Sequence, residues 1–226
     1  MCEENARREQ ISSTNRAEAL NMMPTYWEQA TRELAASDEV MQKLILRFEG
    51  VLLRSRGDAF GTLVRSILGQ QISVNAAESI WQKLSDAVGD VTPHTIIDAE
   101  HGVLRACGLS LRKMGYIQDL SMNFADGTLN AAAWHEMDDE ALIDKLTKIK
   151  GIGRWTAEMF LIFHMLRPDV LPMDDLGLQR ALSMHYNANQ PVSRLKMRAI
   201  AKPWQPWRSV ATWYLWRSLE PIPIEY

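Results

Sequence analysis

Residues Leu146 to Leu182 read LTKIKGIGRWTAEMFLIFHMLRPDVLPMDDLGLQRAL, and the order of signals along them decides the fold. A short amphipathic helix comes first, with Leu142, Leu146 and Ile149 spaced to face inward. Gly151 and Gly153 then flank a single apolar residue, the pattern expected where a backbone turns tightly and approaches another polymer closely. A second helix follows, carrying Ala157, Phe160, Leu161 and His164 on its inner face, until Arg167-Pro168-Asp169 breaks it. The pair Asp174-Asp175 opens a third, which contains Leu178 and Leu182.

Outward from this stretch the signal stays helical. Ser37-Asp38-Glu39 reads as a helix start ahead of Val40, Leu44 and Ile45. Phe60, Leu63, Val64, Ile67 and Leu68 recur at helical spacing and predict a buried stripe ending near Gly69. A further helix is expected after Ser73, with Ala77, Ile80, Trp81 and Leu84 inside. Thr92-Pro93 is a cap followed by proline, and Met114, Ile117, Leu120 and Phe124 give another period that Asp126-Gly127 ends. Asp138-Asp139-Glu140 suits the positive end of the helix before the glycine turn. Ser193 starts another helix, and Pro206 precedes a last one that reaches Trp216. No alternating β-branched run stands out, so the fold class is all-α. Residues 1–20 lack a period and read as a loosely held tail before a single helical domain over 21–226.

A chain of 226 residues can bury a full core. With 46% hydrophobic and 23% charged residues it has the composition of a globular protein that is not embedded in a membrane. No apolar run approaches the ~20 residues that span a bilayer, and the polar MCEENARREQ start does not read as a signal peptide. Cys2 and Cys107 read as reduced cytoplasmic thiols, and they cannot supply the roughly four thiolates of an iron–sulfur cluster. The net charge of −3 is unhelpful for a nucleic-acid partner, but its distribution is not. Lys145, Lys148, Lys150 and Arg154 surround the glycine turn with no acid among them. Arg194, Lys196, Arg198, Lys202, Arg208 and Arg217 form a second acid-free run.

Taken in order, Phe60-Gly61-Thr62-Leu63-Val64, Ile67-Leu68-Gly69-Gln70-Gln71-Ile72-Ser73, the turn Ile149 to Gly153, Asp174-Asp175-Leu176-Gly177-Leu178, and Pro206-Trp207-Arg208-Ser209 with Leu215-Trp216 carry a resemblance. They resemble the alkylpurine (3-methyladenine, type II) DNA glycosylases of the helix-hairpin-helix superfamily, over roughly residues 25–220. The resemblance implies two helical lobes, with the hairpin at 146–160 and without the β-domain that some members carry. It implies a monomer that binds double-stranded DNA across the cleft and turns an alkylated base out of the helix.

The implied catalytic group is Asp175, whose carboxylate stabilises positive charge on the sugar or orients water. Asp174 is then the helix cap or support. Trp155 stands where strand-nicking relatives carry a Schiff-base lysine, so no lyase step is expected. Its indole face would attract a cationic alkylated ring, with Trp216 as a second pocket aromatic. Met159 stands where a tyrosine can complete that pocket. Gln71 is the implied wedge that fills the gap left by the flipped base. Amides of Gly151 and Gly153 would hold a phosphate, supported by Lys150 and Arg154. Carbonyls of Thr147, Ile149 and Ile152 are implied ligands of a monovalent cation, and no redox or organic cofactor is expected. His164 reads as a satisfied core residue, and Trp27 and Trp81 as core. Two alternatives remain: a relative acting on mismatched or oxidised bases, and a non-catalytic helix-hairpin-helix module that binds DNA structure.

Overall fold

Each helix start read from a polar residue ahead of an apolar stripe is a helix start in the computed structural model, which describes residues 24–55 and 58–219. The proposed tail 1–20, with Cys2, lies outside the described residues. Helices α1 (Trp27–Ser37) and α2 (Glu39–Arg47) meet at Asp38, whose carboxylate accepts the Val40 and Met41 amides at 2.8 and 3.0 Å. Helix α3 (Ala59–Gly69) buries its stripe, with Leu63, Val64, Ile67 and Leu68 all at 0% exposure. Helix α4 (Val74–Val88) starts at Ser73 and α5 (Pro93–Asp98) at a Thr92–Thr95 capping box. Helix α6 (His101–Ala106) has no side-chain cap, and α7 (Leu111–Ala125) starts at Ser110. After a 3-10 turn (Ala131–Glu136) come α8 (Asp139–Leu146) and α9 (Arg154–Phe163) around the glycine turn. Helices α10 (Leu176–Tyr186), α11 (Arg194–Ala201) and α12 (Arg208–Leu219) complete the chain, with a 3-10 turn (Lys202–Trp204) before the last. No strand occurs among the described residues, and none of their helices is long and apolar enough to cross a membrane.

The helices sort into two groups by packing. Helix α3 lies on α4, α7 and α9; α8 lies on α9; α5 and α6 lie on α7. In the other group α1 and α2 pack on each other and on α12, which packs on α10. Both ends of the described chain thus build one group, and the middle builds the other. Helix α9 is apolar almost all round because it sits where the groups meet, with Thr156 to Phe163 all buried. An edge-to-face aromatic series, Phe60–Phe124–Trp134–Phe160, fills the middle group, its ring centroids 5.3 to 5.8 Å apart. Each fully buried ring among them contributes about 1.5–3 kcal/mol. Not every expected inward face is buried to that extent. On α4 only Leu84 is, while Trp81 is half-buried beneath the Arg65 guanidinium, 3.8 Å from its ring centre.

The segment from Leu166 to Asp175 crosses between the groups and is pinned along its length. Tyr26 donates its hydroxyl to the Leu166 carbonyl at 2.6 Å. Arg208 pairs with Asp169 at 2.7 Å, and the Val170 amide donates to the Ser209 hydroxyl at 2.9 Å. This crossing delivers the start of α10 to the seam between α9 and α12.

Candidate active site

Asp175 is the N-cap of α10. Its Oδ1 accepts the Leu178 amide at 2.6 Å, and the residue is only 8% exposed. The same Oδ1 accepts the Trp216 indole N–H from α12 at 2.7 Å, while Oδ2 accepts the Trp155 indole N–H from α9 at 2.9 Å. Both helix groups therefore grip one carboxylate, each through an indole. Oδ2 carries one of the three hydrogen bonds and keeps lone-pair capacity for a further donor such as water. The three N–H donors replace hydrogen bonds that burial takes away from water.

This corrects the division of labour expected for the acid pair. Asp174 does not cap the helix: its exposed carboxylate pairs with Arg194, while Asp175 is both the cap and the buried group. The Asp175 amide donates to the Pro172 carbonyl at 3.0 Å, and this turn directs the second acid, not the first, into the seam. Gly177, the second residue of α10, belongs to the site although the sequence assigned it no role. A Cβ there would stand 3.1 Å from both Asp175 Oδ1 and Trp216 Cδ1. Its missing side chain is what lets Trp216 reach the carboxylate.

Trp155 and Trp216 are each partly exposed. Trp216 stacks on Phe163 with ring centres 5.6 Å apart and an interplanar angle of 13°. Met159, one turn after Trp155, is 4% exposed and belongs to the packed core. His164 stacks on Phe160, with burial holding its imidazole pKa below the ordinary value. The expected satisfied core histidine is only partly found, since its buried Nδ1 has no hydrogen-bond partner among the described residues.

The hairpin is a tight turn closed by the Ile152 amide on the Ile149 carbonyl at 3.1 Å. Gly151 has a φ of 86°, and a Cβ there would lie 2.9 Å from the Tyr116 Cβ and closer still to its ring. Both the backbone angle and the packing therefore require glycine at this position. Gly153 starts α9, is exposed, and supplies no side-chain cap, so the first amides of that helix are open to an anion. The carbonyl-bearing residues Thr147, Ile149 and Ile152 line one hollow of about 540 Å³ with Lys148, Lys150, Gln70 and Gln71. Gln71 forms the exposed tip of the α3–α4 turn, at a φ of 60° that few residues other than glycine adopt.

The acid-free runs are not acid-free in space. Arg154 pairs with Glu140, at 2.9 and 2.5 Å, and with Glu158 at 3.0 Å, and its side chain remains 49% exposed. The α8–α9 packing brings Glu140 to it. Glu158 is itself buried, which raises its carboxyl pKa, while Arg154 pulls it back. Lys150 is 3.4 Å from Asp119, but its side chain remains 76% exposed. In the second run, Arg208 pairs with Asp169, Arg194 with Asp174, and Arg217 lies over the Trp213 ring.

A model of the HhH-GPD superfamily base excision DNA repair proteins matches residues 64–206. DNA-3-methyladenine glycosylase 1 of Schizosaccharomyces pombe is 30% identical over 180 residues, which cover 78% of this chain and 79% of that protein. The YfjP protein of Bacillus subtilis is 34% identical over 169 residues, 71% of this chain, and the match spans 59% of its own length. Among solved structures, the Schizosaccharomyces pombe 3-methyladenine DNA glycosylase in complex with abasic DNA superposes with a TM-score of 0.76. That comparison has 28% sequence identity and covers 84% of this chain and 96% of the other.

Proposed function

The chain belongs to the HhH-GPD superfamily of base excision DNA repair proteins, and from that premise we propose that it is a monofunctional glycosylase releasing alkylated purines from double-stranded DNA. The observation that carries this reading is the Asp175 carboxylate, 8% exposed and held by the Trp155 and Trp216 indoles between the two helix groups. Relatives named for 3-methyladenine glycosylase activity support the same substrate class.

The chemistry follows from what each group can do. A base turned out of the duplex, ring-alkylated and cationic, is attracted to the electron-rich indole faces. As the bond from C1′ to the base nitrogen breaks, its electron pair leaves with the base, which departs neutral. Positive charge then grows on the sugar. Asp175 lies ready to stabilise that charge and, through its spare lone pairs, to orient the water that adds to C1′. The water's surplus proton passes to the carboxylate or to solvent. No protonation of the leaving group is needed, because a cationic base departs as a neutral one. With Trp155 at the position of the strand-nicking lysine, the product is an intact abasic site. Open amides at Gly151 and Gly153 and the exposed Lys150 hold phosphates, and Gln71 enters the base stack. The Thr147, Ile149 and Ile152 carbonyls are the candidate ligands of a monovalent cation: these residues border one hollow, and the Ile149 oxygen keeps a second lone pair beside its bond to Ile152. A bound cation would add positive charge beside the phosphate. The protein acts as a monomer on this reading.

Base release from methylated duplex DNA, with chromatographic identification of the products, tests the proposal. We expect 3-methyladenine and 7-methylguanine. A protein that binds abasic duplex yet frees no base from any alkylated, oxidised or mismatched substrate would be a binding module instead.

A further inference from the structure

The wedge turn and the hairpin are tied together by side chains to which no role in the reaction has been given. Gln70, the neighbour of the wedge, donates its side-chain amide to the Gly151 carbonyl at 2.8 Å, across 81 residues of sequence. Helix α7 runs beneath both loops and touches each. At its first turn Arg112 reaches the Gln71 side chain at 3.4 Å, and Lys113 donates to the Leu68 carbonyl at 2.6 Å, ending α3. One and two turns later, Tyr116 packs under Gly151, and Asp119 accepts the Lys150 amide at 3.2 Å.

We propose that Gln70, with the α7 face Tyr116–Asp119, is a positioning device that locks hairpin and wedge turn into one rigid unit. A phosphate gripped at the hairpin then sets how far Gln71 enters the duplex, and so couples backbone binding to base flipping. Gln71 sits at a strained φ of 60°, so a turn without this tether has reason to relax away from the inserting geometry. Gln70 is a positioning residue, acting through the Gly151 carbonyl. The inference rests on the glycosylase reading above.

The test separates grip from flipping. Duplexes carrying 2-aminopurine in place of a target base report unstacking by fluorescence, while anisotropy reports affinity for undamaged duplex. Gln70→Met keeps length and removes the donor; Gln70→Asn keeps a donor on a shorter stem. Parent-like anisotropy is expected for Gln70→Met, with unstacking and base release falling about three- to tenfold, the worth of one hydrogen bond. Asp119→Asn, which leaves Gln70 untouched but loosens Lys150, should shift the same two readouts in the same direction. Parent-like unstacking in Gln70→Met would overturn the proposal. So would an equal loss of affinity and unstacking, which would make Gln70 an ordinary backbone contact. If the parent unstacks 2-aminopurine but releases no base, the glycosylase reading fails while the coupling stands. If the parent does not unstack the base at all, the coupling itself is refuted.

Discussion

At Asp175, position and charge can be separated by substitution. Asp175→Asn keeps an oxygen for the Leu178 amide and Trp216, but it turns an NH2 group toward the Trp155 N–H, placing donor against donor. Base release should fall by at least about a hundredfold, the scale of a lost transition-state electrostatic contact, with abasic-DNA affinity retained. Asp174→Asn breaks only an exposed pair with Arg194 and should cost about 1 kcal/mol or less. An inactive Asp174→Asn and an active Asp175→Asn in single-turnover assays would reverse the assignment. Trp155→Phe and Trp216→Phe each keep an aromatic face and remove the N–H. A hydrogen bond to a charged group is worth about 1.5–3 kcal/mol, so each variant should slow single-turnover release about ten- to a hundredfold while substrate affinity changes little. If affinity falls and the chemical rate does not, the indoles act only by stacking on the base. The sequence suggested a stacking role for these indoles and gave no sign of their N–H contacts. They depend on where α9 and α12 bring residues 20 and 41 positions from Asp175.

Among the elements, the helix starts were legible because capping is local: Asp38 and Asp138 reach amides two or three residues on. Helix α6 was not, being six residues long and lacking a side-chain cap. The acid pair was misread for a related reason, since either carboxylate can cap and a turn at Pro172 decides between them. The basic runs were legible but their acidic partners were not, because Glu140 and Asp119 reach Arg154 and Lys150 across 14 and 31 residues. The hairpin glycine was legible, its reason only in part: Gly151 answers to Tyr116 on α7 as well as to its own φ. Gly151→Ala should therefore destabilise the fold by about 2–4 kcal/mol, combining backbone strain with overpacking, and weaken binding to all duplexes alike. Paired with Tyr116→Ala it should cost less, because the two closest contacts, both with the ring, are removed and only the strain and the contact with the Cβ of residue 116 remain. Chemical denaturation of the single and double variants would show this, and strictly additive losses would remove Tyr116 from the account.

Over the whole molecule, the all-α fold was readable from periodicity, whereas two helical lobes were expected from the resemblance alone, because α1 and α2 pack on α12 from the other end of the chain. The chemistry this arrangement is proposed to perform has a molecule-wide check. Borohydride should trap no covalent adduct with alkylated DNA, and the abasic product should break only in alkali; a trapped adduct would point to Lys148 or Lys150. The same arrangement bears on synthesis. Contacts among α3 to α9 all lie within residues 59–163 and can form once those helices have left the ribosome, but the partner of α1 and α2 is the last helix described. That helix also carries the indole that reaches Asp175 from the far side. In chains stalled before residue 208, protease protection of α8 and α9 is expected without protection of α1, and the reverse order would contradict this. A nascent chain would thus acquire its hold on DNA before it acquires a completed carboxylate site, and during that interval it could bind a lesion without exposing an abasic site.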